Sequence, residues 1–116
     1  DDYQRGYTGQ LTFLNTKMLE AIDTILAESE TPPVIVLQGD HGAWMQPKDR
    51  RMWILNAYYL PGHEDELYPT ITPVNTFRLI FNSYFGGKYE ILEDKSYFSP
   101  VPNLYDFREM PITCGK

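Results

Sequence analysis

Apolar residues recur at Leu11, Leu14, Met18, Leu19, Ile22, Ile25 and Leu26, the spacing of a helix with one apolar face. Glu20, Asp23, Thr24 and Glu28 fall largely elsewhere, so the pattern predicts an amphipathic helix from about Thr8 to Glu28. Its Leu/Ile stripe is expected to pack on a core. Thr31-Pro32-Pro33 forbids helix continuation and sets an extended entry into the next segment. There the pattern changes. Val34 to Leu37 are consecutive apolar residues without polar alternation, which predicts a strand buried on both faces, as in parallel sheets.

That strand runs into Gln38-Gly39-Asp40-His41-Gly42. Glycines bracket an acid and an imidazole, so the backbone can turn sharply and both side chains can aim at one point. Asp offers a hard anionic oxygen and His a neutral nitrogen, a mixed pair suited to a divalent metal such as zinc or manganese. The plainer reading is that Asp40 and His41 begin a polar loop.

A polar loop from Ala43 to about Arg51 carries Trp44, Arg50 and Arg51. The stretch Met52–Leu60 reads as a second strand, stopped by Pro61-Gly62. The intervening loop is too short for a crossover helix, so an antiparallel or irregular return is expected. His63-Glu64-Asp65-Glu66 reads as a solvated acidic loop, with cation binding as the sharper alternative. A second helix is signed at both ends. Thr72 can cap it, Pro73 suits its first position, and Gly86-Gly87 supplies a left-handed stop. Val74, Phe77, Phe81 and Tyr84 mark its expected buried stripe, with Ile80 and Phe85 beside it. Arg78, within this helix, would pair with an acidic residue or reach an anionic substrate. Tyr89–Leu92 reads as a short strand, and Asp94 to Lys116 as an extended wrap.

Composition narrows the classes. The chain has 116 residues, room for a single modest core. A net charge of −6 without a Lys/Arg block argues against nucleic-acid binding. No apolar run approaches the ~20 residues needed to span a bilayer. The single cysteine, Cys114, has no partner for an intrachain disulfide and no neighbouring His or Asp that would make it a nucleophile. The aromatic share, 15%, is more than two helices and a few strands readily hide, and points to an interface or to a missing part of a sheet.

The chemistry is half a site. A catalytic metal normally draws on more protein ligands than Asp40 and His41, and no phosphate cradle, cysteine cluster or Ser/His/Asp arrangement accompanies them. The order of segments, however, resembles a known family. An amphipathic helix precedes VIVLQGDHG; a polar loop, a strand ending in YYLPG, and YPTITPVNTFRLIFNSYFGG come after it. From about Tyr3 to Phe107 this is similar to the C-terminal part of a sulfatase-like domain of the alkaline phosphatase superfamily. The nearest branch is the bacterial membrane proteins that include lipoteichoic acid synthase-like phosphoglycerol transferases.

The resemblance implies an α/β chain, part of a three-layer α/β/α fold and reduced here to a small mixed sheet with two main helices. Residues 1–116 would be the C-terminal portion of one domain. It implies that Asp40 and His41 bind a divalent metal (Mn, Zn, Ca or Mg) in a hydrolase or transferase acting on phosphate or sulfate esters. Trp44, Arg50 and Arg51 would line the substrate mouth, since ligands sit outside a sheet's carboxyl edge. The family nucleophile lies far upstream and matches no residue here. Gln38 stands where a small Ser or Thr is common, and Ala43-Trp44 replaces the usual Glu or Pro context. The missing N-terminal part of the domain would be the chain's main partner, and the isolated chain is expected to be inactive. Relatives place the domain outside the cytoplasm, anchored by membrane spans of the parent chain. The contrasting expectation is a non-catalytic binding or assembly module that self-associates, as a homo-oligomer, through its aromatic surface.

Overall fold

The computed structural model describes residues 2–48 and 50–111. Asp49, Cys114 and the end of the expected wrap, 112–116, lie outside them. The chain divides into two units, one ending at Val34 and the other beginning at Ile35. Among the described residues it is a mixed α/β protein with two α-helices and two small antiparallel sheets.

The first unit is one helix, α1 (Asp2–Glu28). It starts about a turn and a half before the expected Thr8, running through Gly6 and Gly9. Asp2 at the positive end of the helix dipole and its ion pair with Arg5 favour that early start. Thr12, Thr16 and Thr24 sit mid-helix because each hydroxyl donates to the carbonyl four residues back, at 3.0, 3.0 and 2.9 Å. The helix buries none of its residues. Within its own unit the Leu/Ile stripe expected in a core meets no second element among the described residues.

In the second unit, β1 (Ile35–Gln38) pairs antiparallel with β2 (Asn56–Tyr59), Ile35 opposite Tyr59 and Gln38 opposite Asn56. The antiparallel return is as expected. Burial on both faces is not: β1 is half-buried along its length, with β2 as its strand partner. Helix α2 (Pro73–Phe85) begins at Pro73 and ends at Gly86, whose φ of 65° is the left-handed stop that glycine accepts without strain. The single mixed sheet expected from the sequence is replaced by two antiparallel pairs. The second, β3 (Ser96–Phe98) with β4 (Arg108–Met110), forms within the segment expected to be an extended wrap.

The buried face of α2 departs from the expected stripe. Thr72, Asn75, Thr76, Leu79 and Ile80 face inward, while Phe77, Phe81 and Phe85 are 57%, 43% and 72% exposed. The helical period holds, but three of these five inward-facing residues are polar. Asn75 and Thr76 can be buried because their polar atoms are satisfied. Leu60, Leu79 and Ile80 make a small core, with Val36, Tyr58, Leu67, Ile71 and Tyr84 packed on it.

Tyr89–Leu92 is no strand, yet it is held like one. Asn82 accepts from the Tyr89 N–H and donates to its carbonyl, both at 2.8 Å. Asn75 does the same for Leu92, at 2.9 and 2.8 Å. Between them Arg78 donates to the Glu90 carbonyl at 3.0 Å, and among the described residues it makes no ion pair with an acidic side chain. Side-chain amides on one face of α2 thus take the place of a neighbouring strand. That satisfies backbone groups a bare helix would leave open.

Candidate functional site

The ladder between β1 and β2 continues one step past Gln38: the Gly39 N–H donates to the Leu55 carbonyl at 2.9 Å. The chain then bends at Asp40 and His41, and the Gly42 N–H donates to the Arg51 carbonyl at 2.7 Å. Asp40 and His41 therefore crown a short loop tied at both ends. A Cβ on Gly42 would stand 2.8 Å from the Arg50 carbonyl oxygen and 3.0 Å from that of Trp53. Both are backbone atoms, so only glycine lets the segments approach. Gly39 meets nothing closer than 3.8 Å and neither glycine has a positive φ, so glycine is required here for the close approach at Gly42 and not for the sharp turn expected of both.

Asp40 Oδ1 accepts the His41 N–H at 2.9 Å, and His41 Nδ1 lies 2.8 Å from the Gly42 carbonyl oxygen. A carbonyl only accepts, so Nδ1 carries the proton, and in the neutral ring Nε2 presents its lone pair. Nε2 stands 3.7 Å from Asp40 Oδ2, and the two side chains are 56% and 90% exposed. An oxygen and a nitrogen donor thus face solvent side by side. Two ligands each about 2 Å from one ion can be this far apart, so the pair fits part of a divalent-metal site. Among the described residues no third His, Cys, Asp or Glu joins them.

The loop beyond is tied to the same backbone. A 3-10 turn over Arg50–Met52 places the Arg51 guanidinium 4.2 Å over the Trp44 ring and the Arg50 guanidinium 5.4 Å over Trp53. Arg51 Nε is buried without a hydrogen-bond partner among the described residues, and Trp44 is 70% exposed. Backbone bonding thus brings the Arg50–Arg51 turn against Gly42. Both cations rest on indole faces.

His63 is occupied elsewhere. Its Nδ1 lies 2.6 Å from Glu66 Oε1, its ring meets Tyr84 edge-on at 4.5 Å, and Ser83 donates to the other Glu66 oxygen. The Ser83 hydroxyl and His63 hold the Glu66 carboxyl below its ordinary value. The expected acidic loop is a 3-10 turn, Glu64–Glu66, fastened to α2.

Two polar clusters join residues that the sequence pattern does not link. At the end of β1, Gln38 Nε2 donates to Asn56 Oδ1 and to Thr76 Oγ1, both at 2.9 Å, and Tyr58 shares a 2.7 Å bond with Thr76. Gln38 thereby moors the strand carrying Asp40 to β2 and α2. At the start of α2, Thr72 makes no side-chain cap. Instead Asp94 accepts from the Thr72 N–H at 2.7 Å, its hydroxyl at 2.6 Å, Tyr68 at 2.7 Å and Asn75 at 3.0 Å. No local pattern signals this, because Asp94 lies 22 residues from Thr72.

Burial pushes the Asp94 carboxyl up, but hydrogen bonds from Thr72, Tyr68 and Asn75 outweigh it and hold the group below its usual value. Burial, and then Asp94 itself, push the Tyr68 phenol up to about 12. A depressed folded-state carboxyl stabilises above its unfolded value, ~3.9, and that stability disappears as pH falls through the folded one. Glu66 acts in the same direction, so the difference between variants isolates Asp94. The urea midpoint is expected to drop steeply below about pH 4 in the parent chain and less steeply in Asp94→Asn. Equal slopes would show that Asp94 contributes nothing to acid unfolding.

No family model, curated protein or solved structure matches this chain.

Proposed function

We propose that the chain is the C-terminal part of a sulfatase-like domain of the alkaline phosphatase superfamily, in a metal-dependent hydrolase or transferase of phosphate or sulfate esters. Within it Asp40 and His41 are metal ligands. One observation carries the reading: an Asp oxygen and an imidazole lone pair stand 3.7 Å apart on an exposed, doubly tied bend at the end of β1. The motif order VIVLQGDHG, YYLPG and TPVNTFR supports it.

A divalent ion held there would act as a Lewis acid toward the transferred phosphoryl or sulfuryl group. Asp40 supplies negative charge to the ion, and the Gly42 carbonyl fixes the His41 tautomer that leaves Nε2 free. Arg50 and Arg51, stacked on Trp53 and Trp44, offer guanidinium groups to an anionic ester, with Trp44 at the mouth. In the complete domain β1 gains a strand on its free edge, in a three-layer α/β/α arrangement. The nucleophile and the remaining ligands come from the upstream part, which also carries the membrane anchor.

The test uses the native polypeptide together with any upstream sequence. It should cleave or transfer phosphate or sulfate esters with added divalent metal, and Asp40→Asn should lower kcat/KM by about 10² or more. The 116-residue chain alone should show no turnover. Undiminished turnover in Asp40→Asn would refute the assignment.

A second reading, an assembly module that self-associates, is favoured by the Phe77, Phe81 and Phe85 stripe. Its rings contact one another at 6.2 and 5.9 Å on the exposed face of α2. Under that reading divalent metal leaves thermal stability unchanged, whereas ligand-bearing residues would raise it.

A further inference from the structure

The second unit contains a half-open cavity of about 470 Å³, between the approach to β2 and the 67–73 turn. Its apolar walls include Trp53, Ile54, Leu67, Ile71, Pro73 and Pro111. Asn56, Tyr58, Tyr68, Thr70, Thr72 and Ser96 are its polar lining residues, and among the described residues none that lines it carries a charge. It is separate from Asp40 and His41, neither of which lines it.

The walls are fixed before anything binds. Tyr58 is held by Thr76 at 2.7 Å, and Tyr68 is held between Asp94 at 2.7 Å and Asn75 at 3.0 Å. Asn56 is held by Gln38 at 2.9 Å. Prolines stiffen the rim at Pro69, Pro73 and Pro111. A preformed space within the ~300–1,000 Å³ range, mainly apolar with few convergent polar groups, has the properties of a small-molecule site. The described lining residues are all uncharged, which selects against charged ligands, whose buried charge would find no partner among them. Trp53 and two tyrosines select for a ring.

We propose that this cavity binds an uncharged, mainly apolar, ring-bearing small molecule, independently of the Asp40–His41 site. An inserted protein side chain is too small to fill it. The binding would therefore saturate at one molecule per chain and would not depend on protein concentration.

The probe is neutral N-phenyl-1-naphthylamine, titrated into the full chain and read by fluorescence enhancement. Saturable binding near one per chain is expected, weakened about tenfold or more by Thr70→Trp, which blocks the exposed rim. Ser96→Trp, on a different wall, should do the same, and circular dichroism checks that both variants fold. Phe77→Glu/Phe81→Glu should leave binding intact, and the anionic analogue 1-anilinonaphthalene-8-sulfonate should bind about tenfold more weakly or worse. Four results overturn the proposal: no saturable binding, indifference to both Trp variants, loss in the Phe double variant, or equal affinity for the anionic analogue. Binding that tracks dimer formation in sedimentation also overturns it, in favour of a second copy of the chain.

Discussion

Asn75→Ala should destabilise the second unit by roughly 2–4 kcal/mol, the largest effect of any single side-chain truncation outside the apolar core. Asn75 is 0% exposed. Its carbonyl accepts from the Leu92 N–H at 2.9 Å, and its amide reaches the Leu92 carbonyl, Tyr68 and Asp94 within 3.0 Å. Truncation leaves buried donors and acceptors unmatched, each costing about 1–3 kcal/mol, and loosens the carboxylate that caps α2. For a domain whose whole stability is ~5–15 kcal/mol this is a large share. Asn82→Ala makes the informative comparison. It breaks a similar pair of bonds, to Tyr89, at the surface where water replaces them, and should cost only about 1 kcal/mol. Urea unfolding of both variants decides the matter, and equal losses would mean that the buried cluster has no special weight.

Gly42→Ala should cost roughly 1–3 kcal/mol, although Gly42 sits in a loop. The added carbon would lie 2.8 and 3.0 Å from two carbonyl oxygens of the 50–53 segment, which are backbone atoms and cannot rotate away. Relief requires separating the two segments, which breaks the 2.7 Å bond from Gly42 N–H to the Arg51 carbonyl. The effect should appear as faster amide exchange at Gly42 and a lower urea midpoint, and Gly39→Ala should show much less of either. Matching losses at the two glycines would remove the reason for treating Gly42 as the pivot of the bend.

Where the pattern of the chain was informative, local chemistry was the cause. Pro73 and Gly86 mark the ends of α2 because a proline ring and a left-handed backbone act on their own neighbours. The antiparallel return of β2 comes from the length of the 43–51 loop. The buried face of α2 was not legible, because Phe77 and Phe81 outweigh Asn75 and Thr76 on any hydrophobic scale. Only the distant partners Leu92, Asp94, Gln38 and Tyr58 make those polar residues suited to burial. Asp94 as the cap of α2 was hidden for the same reason, and α1 extends back to Asp2 through glycines that propensity alone would exclude. In the site, the adjacency of Asp40 and His41 was legible. The tie of Gly42 to Arg51, and the mooring of the strand through Gln38, required the fold.

If Asp40 and His41 act together as metal ligands, substoichiometric Mn²⁺ followed by amide NMR will show it most directly. Paramagnetic broadening is predicted to centre on Gly39 to Gly42 and to be lost in Asp40→Asn. Broadening centred instead on Glu64–Glu66, or unchanged in that variant, would contradict the assignment.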